Sequence, residues 1–180
     1  MIHAHVVVGR NIKIAMVRKQ KDLKSNKTKK KPIIVAISGG FDPLHVGHVR
    51  YFKKAKALGD KLVVILNNDN WLTKKKGYVF MLEDERKEVI EAIQYVDKVV
   101  ITDHEKNTKD ISVCTELRKI HPDIFANGGD RKLGNIPEVA VCKEIGCKMK
   151  FNVGEGGKVQ SSSWLIAKAA EKLKNAQNKK

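Results

Sequence analysis

From Pro32 onward, short apolar runs alternate with stretches of helical spacing. "IIVAI" (33–37), "KLVVILN" (61–67), "KVVIT" (98–102) and "DIFAN" (123–127) are nearly continuous apolar runs, the pattern of strands covered on both faces. "KMKFNV" (148–153) differs, because Cys147, Met149, Phe151 and Val153 alternate with Lys148, Lys150 and Asn152, which predicts a half-exposed strand. Between these runs, Val49, Phe52 and Ala55 mark one face of a helix that stops at Gly59, and Leu82, Val89, Ile90 and Ile93 mark a second. Val113, Cys114, Leu117 and Ile120 mark a third, ended by Pro122, a shorter helix starts at Pro137, and a last one begins near "SSSWLIAKAAEKL". "NNDNWLTKKK" reads as a loop.

Strands that alternate with helices in this way predict an α/β fold: a single domain with a doubly wound, Rossmann-like parallel sheet of five strands. Such sheets bind ligands at the carboxyl ends of their strands. Four loops rich in glycine and polar residues, "SGGFDPLHVGH", "NNDNW", "NGGDR" and "GEGGKVQSSS", all follow strands and therefore gather at that edge.

Charge adds little to this picture once it is located. The formal net charge of the 180 residues is +16, but residues 1–31 account for +9 and residues 167–180 for +4, leaving +3 between them. The expected organisation is a basic, flexible extension (1–31), the α/β domain (32–175) and a basic tail (176–180). The extension carries the Lys-rich linker "KQKDLKSNKTKKKP" and the apolar piece "MIHAHVVVGRNIKIAMV", an extra strand or a segment upstream of a start at Met16. Solvated tails are favoured over a nucleic-acid arm. No apolar run reaches 18 residues, and the three cysteines form no CxxC pair, so a membrane span, a disulfide framework and a cysteine zinc knuckle are not expected. A reducing, cytoplasmic setting is the simplest.

The first loop carries the chemistry. Gly39, Gly40 and Gly47 cannot be written as GxGxxG, and Lys158 is followed by Val159 where a P-loop needs Ser or Thr. His45 and His48 lie three apart in the first turn of a helix, so both rings can face one ligand beside the free N–H groups of the helix N-terminus. Zinc is the competing ligand, but only Asp42 stands near as a third donor, so no metal site is assigned. A strand, then G-x-F-D-x-x-H-x-G-H, then a helix resembles the HxGH nucleotidylyltransferases, with Gly39 or Gly40, Phe41, Asp42, His45, Gly47 and His48 in place. "ALGDKLVVILNND", "ERKEVIEAIQYVDKVV", the GGD loop "DIFANGGDR" and the serine-rich "SSSWLI" extend the resemblance over roughly residues 32–170.

The resemblance implies transfer of AMP or CMP from ATP or CTP to a small phosphorylated acceptor with release of pyrophosphate, Mg²⁺ arriving with the triphosphate. It implies that His45, His48 and a lysine, Lys75, are catalytic, and that Gly39, Gly40, Phe41, Asp42, Gly47, Asp130, Ser161, Ser162 and Ser163 hold the nucleotide. Asp69, Lys76 and Arg131 are the acceptor candidates, and a homodimer is consistent with the family. The arginine-led pattern of the cytidylyltransferase branch is missing, Gly156 or Gly157 standing where its Arg would fall, so the donor stays open between the two nucleotides. Arg86 reads as a helix-surface ion pair, and Trp71 and Trp164 as core. A scaffold that binds nucleic acid or a protein through its tails is the alternative from another class.

Overall fold

The computed structural model describes residues 30–128, 136–154 and 160–178. The N-terminal extension, Asp130 and Arg131 of the GGD loop, and Gly156, Gly157 and Lys158 lie outside the described residues. Residues from Pro32 onward fall in one compact unit. Its elements run β1 (Ile34–Gly39), α1 (Val46–Lys56), β2 (Lys61–Leu66), α2 (Asp69–Lys76), α3 (Glu83–Glu91), β3 (Lys98–Ile101), α4 (Cys114–Ile120), β4 (Ile124–Ala126), α5 (Glu138–Glu144), β5 (Lys148–Lys150) and α6 (Ser162–Gln177).

All strand pairs are parallel, in the order β3-β2-β1-β4-β5. The chain leaves β1 toward one edge and returns beside it as β4, so the switch point lies between β1 and β4. Period-two alternation sends Val35, Ile37, Leu62, Val64 and Leu66 into a core shared with Phe52 of α1 and Ile90 of α3. The intervening Ala36 and Ile65, with Phe125, pack on the other face against Leu117, Val141 and the three free cysteines. The five-stranded, doubly wound architecture expected from the apolar runs is the one observed, with the half-exposed β5 at an edge.

Three aspartates fix the strand starts. Asp60, Asp97 and Asp123 each stand just before a strand, and their carboxylates accept the amides of Ile33, Leu62 and Ile34 respectively at 2.6–2.7 Å. Each ties the start of one strand to its neighbour, which sets the register that the site at the far edge inherits.

Two expectations are corrected here. Residues 69–76 form a helix, capped by Asn68, whose side chain accepts the Trp71 amide at 3.0 Å, and closed by Gly77 at φ 83°. Asp69 at its start and three lysines at its end complement the helix dipole, a signal outweighed in the sequence by the scarcity of apolar residues. Arg86 is not a surface residue: it is 0% exposed, while Leu82 and Val89, expected to face the core, are 61% and 44% exposed. The buried residues of α3 are Arg86 and Ile90, and Ile93, just past its end, is partly buried against the same core.

The Arg86 guanidinium makes four hydrogen bonds. It donates to the carbonyls of Gly40 (2.7 Å), Asn67 (2.8 Å) and Met81 (2.9 Å) and pairs with the Asp69 carboxylate. Asp69 in turn accepts the Glu83 amide at 3.2 Å while Glu83 accepts the Asp69 amide at 2.7 Å, so the starts of α2 and α3 cap each other. Replacing Arg86 by Met strands these three carbonyls and one carboxylate. The expected outcome is a loss of about 3–5 kcal/mol of stability, only partly recovered by Arg86→Lys, as read by denaturant unfolding.

Candidate active site

β1 runs straight into a turn built from close contacts. Phe41 takes a left-handed φ of 47°, costly for a residue with a side chain, and its ring is held in the core by edge-on packing against Phe52 at 5.0 Å. A Cβ on Gly39 would lie 2.7 Å from that ring, and one on Gly40 would lie 2.7 Å from Leu72, so both glycines are required by packing before any ligand binds. The Asp42–Pro43 peptide is cis. Asp42, expected at the nucleotide, is 0% exposed. Its carboxylate accepts the amides of Phe80 and Met81, both at 2.8 Å, and so clasps the α2–α3 connection onto the loop.

The turn delivers His45 to the N-cap of α1. There its Nδ1 accepts the Gly47 amide at 3.1 Å, which leaves the proton of the neutral ring on Nε2. His48 stacks on it with ring centroids 3.7 Å apart and packs edge-on against Phe41 at 5.0 Å. Gly47 is what allows this: a Cβ there would sit 2.9 Å from Cε1 of His45.

The two imidazoles are held neutral. Burial, and then the charges of His45 and Lys76, lower the pKa of His48 from 6.5 to about 3. Burial also lowers that of His45, against an opposing backbone hydrogen bond and with help from Lys76. Lys76, half-buried, donates to the Asp42 carbonyl at 2.8 Å, and burial depresses its own pKa. The lysine brought to the histidines is therefore Lys76, one turn after Leu72 on the inward face of α2, whereas Lys75 is exposed.

On the other side of the loop, the Ser162 hydroxyl donates to the Pro43 carbonyl at 2.9 Å, docking the start of α6 beside the histidines. Ser161 occupies the N-cap without a side-chain cap bond, so its hydroxyl and the first amides of α6 remain available. Ser163 is exposed. Asp69 is spent on Arg86 and on helix capping rather than facing an acceptor. Trp71 donates to the Ile111 carbonyl at 2.9 Å, and Trp164 is 51% exposed rather than core. Sequence reasoning missed the placement of Arg86; its spacing of four from Ile90 was the available signal.

A family model described as cytidylyltransferase-like matches residues 36–151, from β1 through β5. The chain belongs to the cytidylyltransferase-like family. It is a nucleotidyltransferase. Among curated relatives of this family, the FAD synthase of Thermococcus sibiricus is 41% identical over 126 residues, covering 69% of this chain and 79% of that one. The bifunctional protein HldE of Campylobacter concisus is 35% identical over 135 residues, which cover 74% of this chain but only 27% of HldE. A solved member of similar fold, the lipopolysaccharide core biosynthesis protein from Thermoplasma volcanium, superposes with a TM-score of 0.55 at 27% identity, over 70% of this chain and 100% of that one. No helix among the described residues is long and apolar enough to cross a membrane.

Two outcomes follow from the geometry of this cytidylyltransferase-like loop. Because His48 takes up its proton far below the unfolded value, its contribution to stability is complete above about pH 6.5 and is lost as pH falls from there toward about 3. Wild type should lose stability more steeply across that window than His48→Gln, as measured by urea midpoints at each pH. Gly47→Ala should displace the His45 ring, reducing activity at least about tenfold while moving the unfolding midpoint little, as read by turnover and thermal melts.

Proposed function

We propose that the chain transfers an adenylyl group from ATP to a small phosphorylated acceptor and releases pyrophosphate. The observation that carries this reading is the stacked, neutral His45–His48 pair at the start of α1, with Lys76 and the serine-capped start of α6 brought to the same loop. Such a cluster has donors and positive potential, and the carboxylate of its loop, Asp42, is committed to backbone amides. Direct attack of one phosphate on another needs no more than that.

In the proposed reaction an acceptor phosphate oxygen forms a bond to the α-phosphorus of ATP, and the bond from that phosphorus to the α–β bridging oxygen breaks. The electron pair leaves with pyrophosphate. His45, protonated on Nε2, donates to the phosphate oxygens whose charge grows, and Lys76 and the amides of α6 stabilise the departing phosphates. The adenylyl group is favoured over cytidylyl by the FAD synthase relatives, whose named product contains adenine.

Mg²⁺ suits this site as an ion carried by the triphosphate. Among the described residues no three His, Cys, Asp or Glu side chains group to hold a metal, and Asp42 is committed to backbone amides. The bound ion would add positive charge along the polyphosphate, keeping several waters as its own ligands.

Pyrophosphate release from ATP and from CTP, each with a panel of phosphorylated acceptors, tests the reading. ATP should support turnover, and His45→Ala should lower kcat by about a hundredfold or more while the protein stays folded. Unchanged pyrophosphate release in that variant would remove the histidines from the reaction.

A further inference from the structure

Two side chains at the carboxyl edge of the sheet, on the strands flanking β1, carry polar atoms that nothing in the proposed chemistry uses. Asn67 and Asn127 are each 3% exposed. The Oδ1 of Asn67 and the Nδ2 of Asn127 are buried and have no hydrogen-bond partner. Their backbones, by contrast, are fully committed. The Asn67 amide donates to Gly39 and its carbonyl accepts Arg86; the Asn127 amide donates to Lys150 and its carbonyl accepts Val153. Rigid main chains bearing unsatisfied amides are preorganised for something that is not part of the chain.

Both stand at the carboxyl edge of the sheet, on the strands either side of β1. Each continues its strand by one residue, so the alternation that turns Ile65 and Phe125 toward one core turns both asparagines to that same face of the sheet. β1 runs between them, and the register brings Asn67 level with Gly40 and Asn127 level with Ser38, directly before the histidine loop. Phe41 and α1, which carry the histidines, pack on the opposite face. Transfer in line requires the entering and leaving oxygens on opposite sides of the phosphorus. With the polyphosphate held on the α1 side, the asparagine side is left for the acceptor.

Resting on the adenylyl-transfer reading, we propose that Asn67 and Asn127 form the specificity-determining pair for the acceptor and read hydroxyl groups on the carbons next to its phosphate. One amide lacks a donor and the other lacks an acceptor, and both are uncharged. A hydroxyl can act in either role, so neighbouring hydroxyls satisfy both, whereas an ammonium or a quaternary amine leaves the Asn127 donor unmet. Sugar phosphates, polyol phosphates and the ribityl phosphate of FMN share this chemistry.

The test uses the full chain with ATP and glycerol 3-phosphate, ribitol 5-phosphate, glucose 1-phosphate, FMN, phosphoethanolamine and phosphocholine. At least one hydroxylated phosphate should exceed both amine phosphates at least about tenfold in kcat/KM, and the best of them identifies the source. Asn67→Leu and Asn127→Leu should each raise the KM for that acceptor about tenfold or more. The Kd of a non-hydrolysable ATP analogue should stay the same, and the unfolding midpoint should stay the same or rise, since each replaces an unpartnered buried amide. If the ATP-analogue Kd rises together with the acceptor KM, the pair holds the nucleotide and the proposal falls. It falls equally if neither changes, water alone then satisfying the amides. Should the wild type transfer to none of the panel, the adenylyl-transfer reading fails separately. Thermal shifts then decide the pair: stabilisation by a hydroxylated phosphate that both leucine variants lose supports it, and any other pattern overturns it.

Discussion

The buried guanidinium of Arg86 is the interaction on which the site depends. Three carbonyls, from the end of β1, the end of β2 and the entry to α3, point at one side chain, and the Asp69 carboxylate balances its charge. A cation with no exposed surface is stable only when its donors are met in this way, so the loops it joins cannot move independently. Gly40 opens the turn to the histidines, and Asn67 leads into the helix that carries Lys76. Fixing both to one planar fork fixes the separation between the histidines and the lysine.

Asp42 completes the constraint from the other side. Its carboxylate holds the amides of Phe80 and Met81, and its carbonyl holds Lys76. Asp42 and Lys76, one acidic and one basic, thus bond backbone groups. Among the described residues, they leave open to a ligand a pair of neutral imidazoles, the Lys76 ammonium and the starts of two helices. A site that donates without carrying full compensating charge gains most when a polyanion arrives, because triphosphate supplies the negative charge that the empty site lacks. The depressed pKa of His48 comes first from its burial, and the charges of His45 and Lys76 add to it.

Much of the fold was legible because parallel strands buried on both faces are written as unbroken apolar runs. β1 to β4 fall within one or two residues of those runs, β5 stops three residues before the end of its run, and α5 and α6 begin where Pro137 and the serine run placed them. α2 was missed because only Leu72 among its residues is buried, so no apolar period announces it. The inward face of α3 was misread because its largest buried side chain is a charged one. At the site, His45, Gly47 and His48 stand together as their spacing required, and Ser162 joins them; of the two lysines, Lys76, expected at the acceptor, lies inward, and Lys75, expected to be catalytic, is exposed.

The sequence by itself determined the succession of the five strands, the loop in which strand turns to helix and the two histidines at the start of that helix. These depend on spacing within a few residues, which local periodicity and helix geometry control. Tertiary structure alone decided which charges are spent and which are free. Arg86 reaches Gly40 across 46 residues and Asp42 reaches Phe80 across 38, and hydrogen bonds of that range leave no periodic trace in the chain. The unpartnered amides of Asn67 and Asn127 belong to the same class: an asparagine after a strand is ordinary in sequence, and only the packed sheet buries it without a partner.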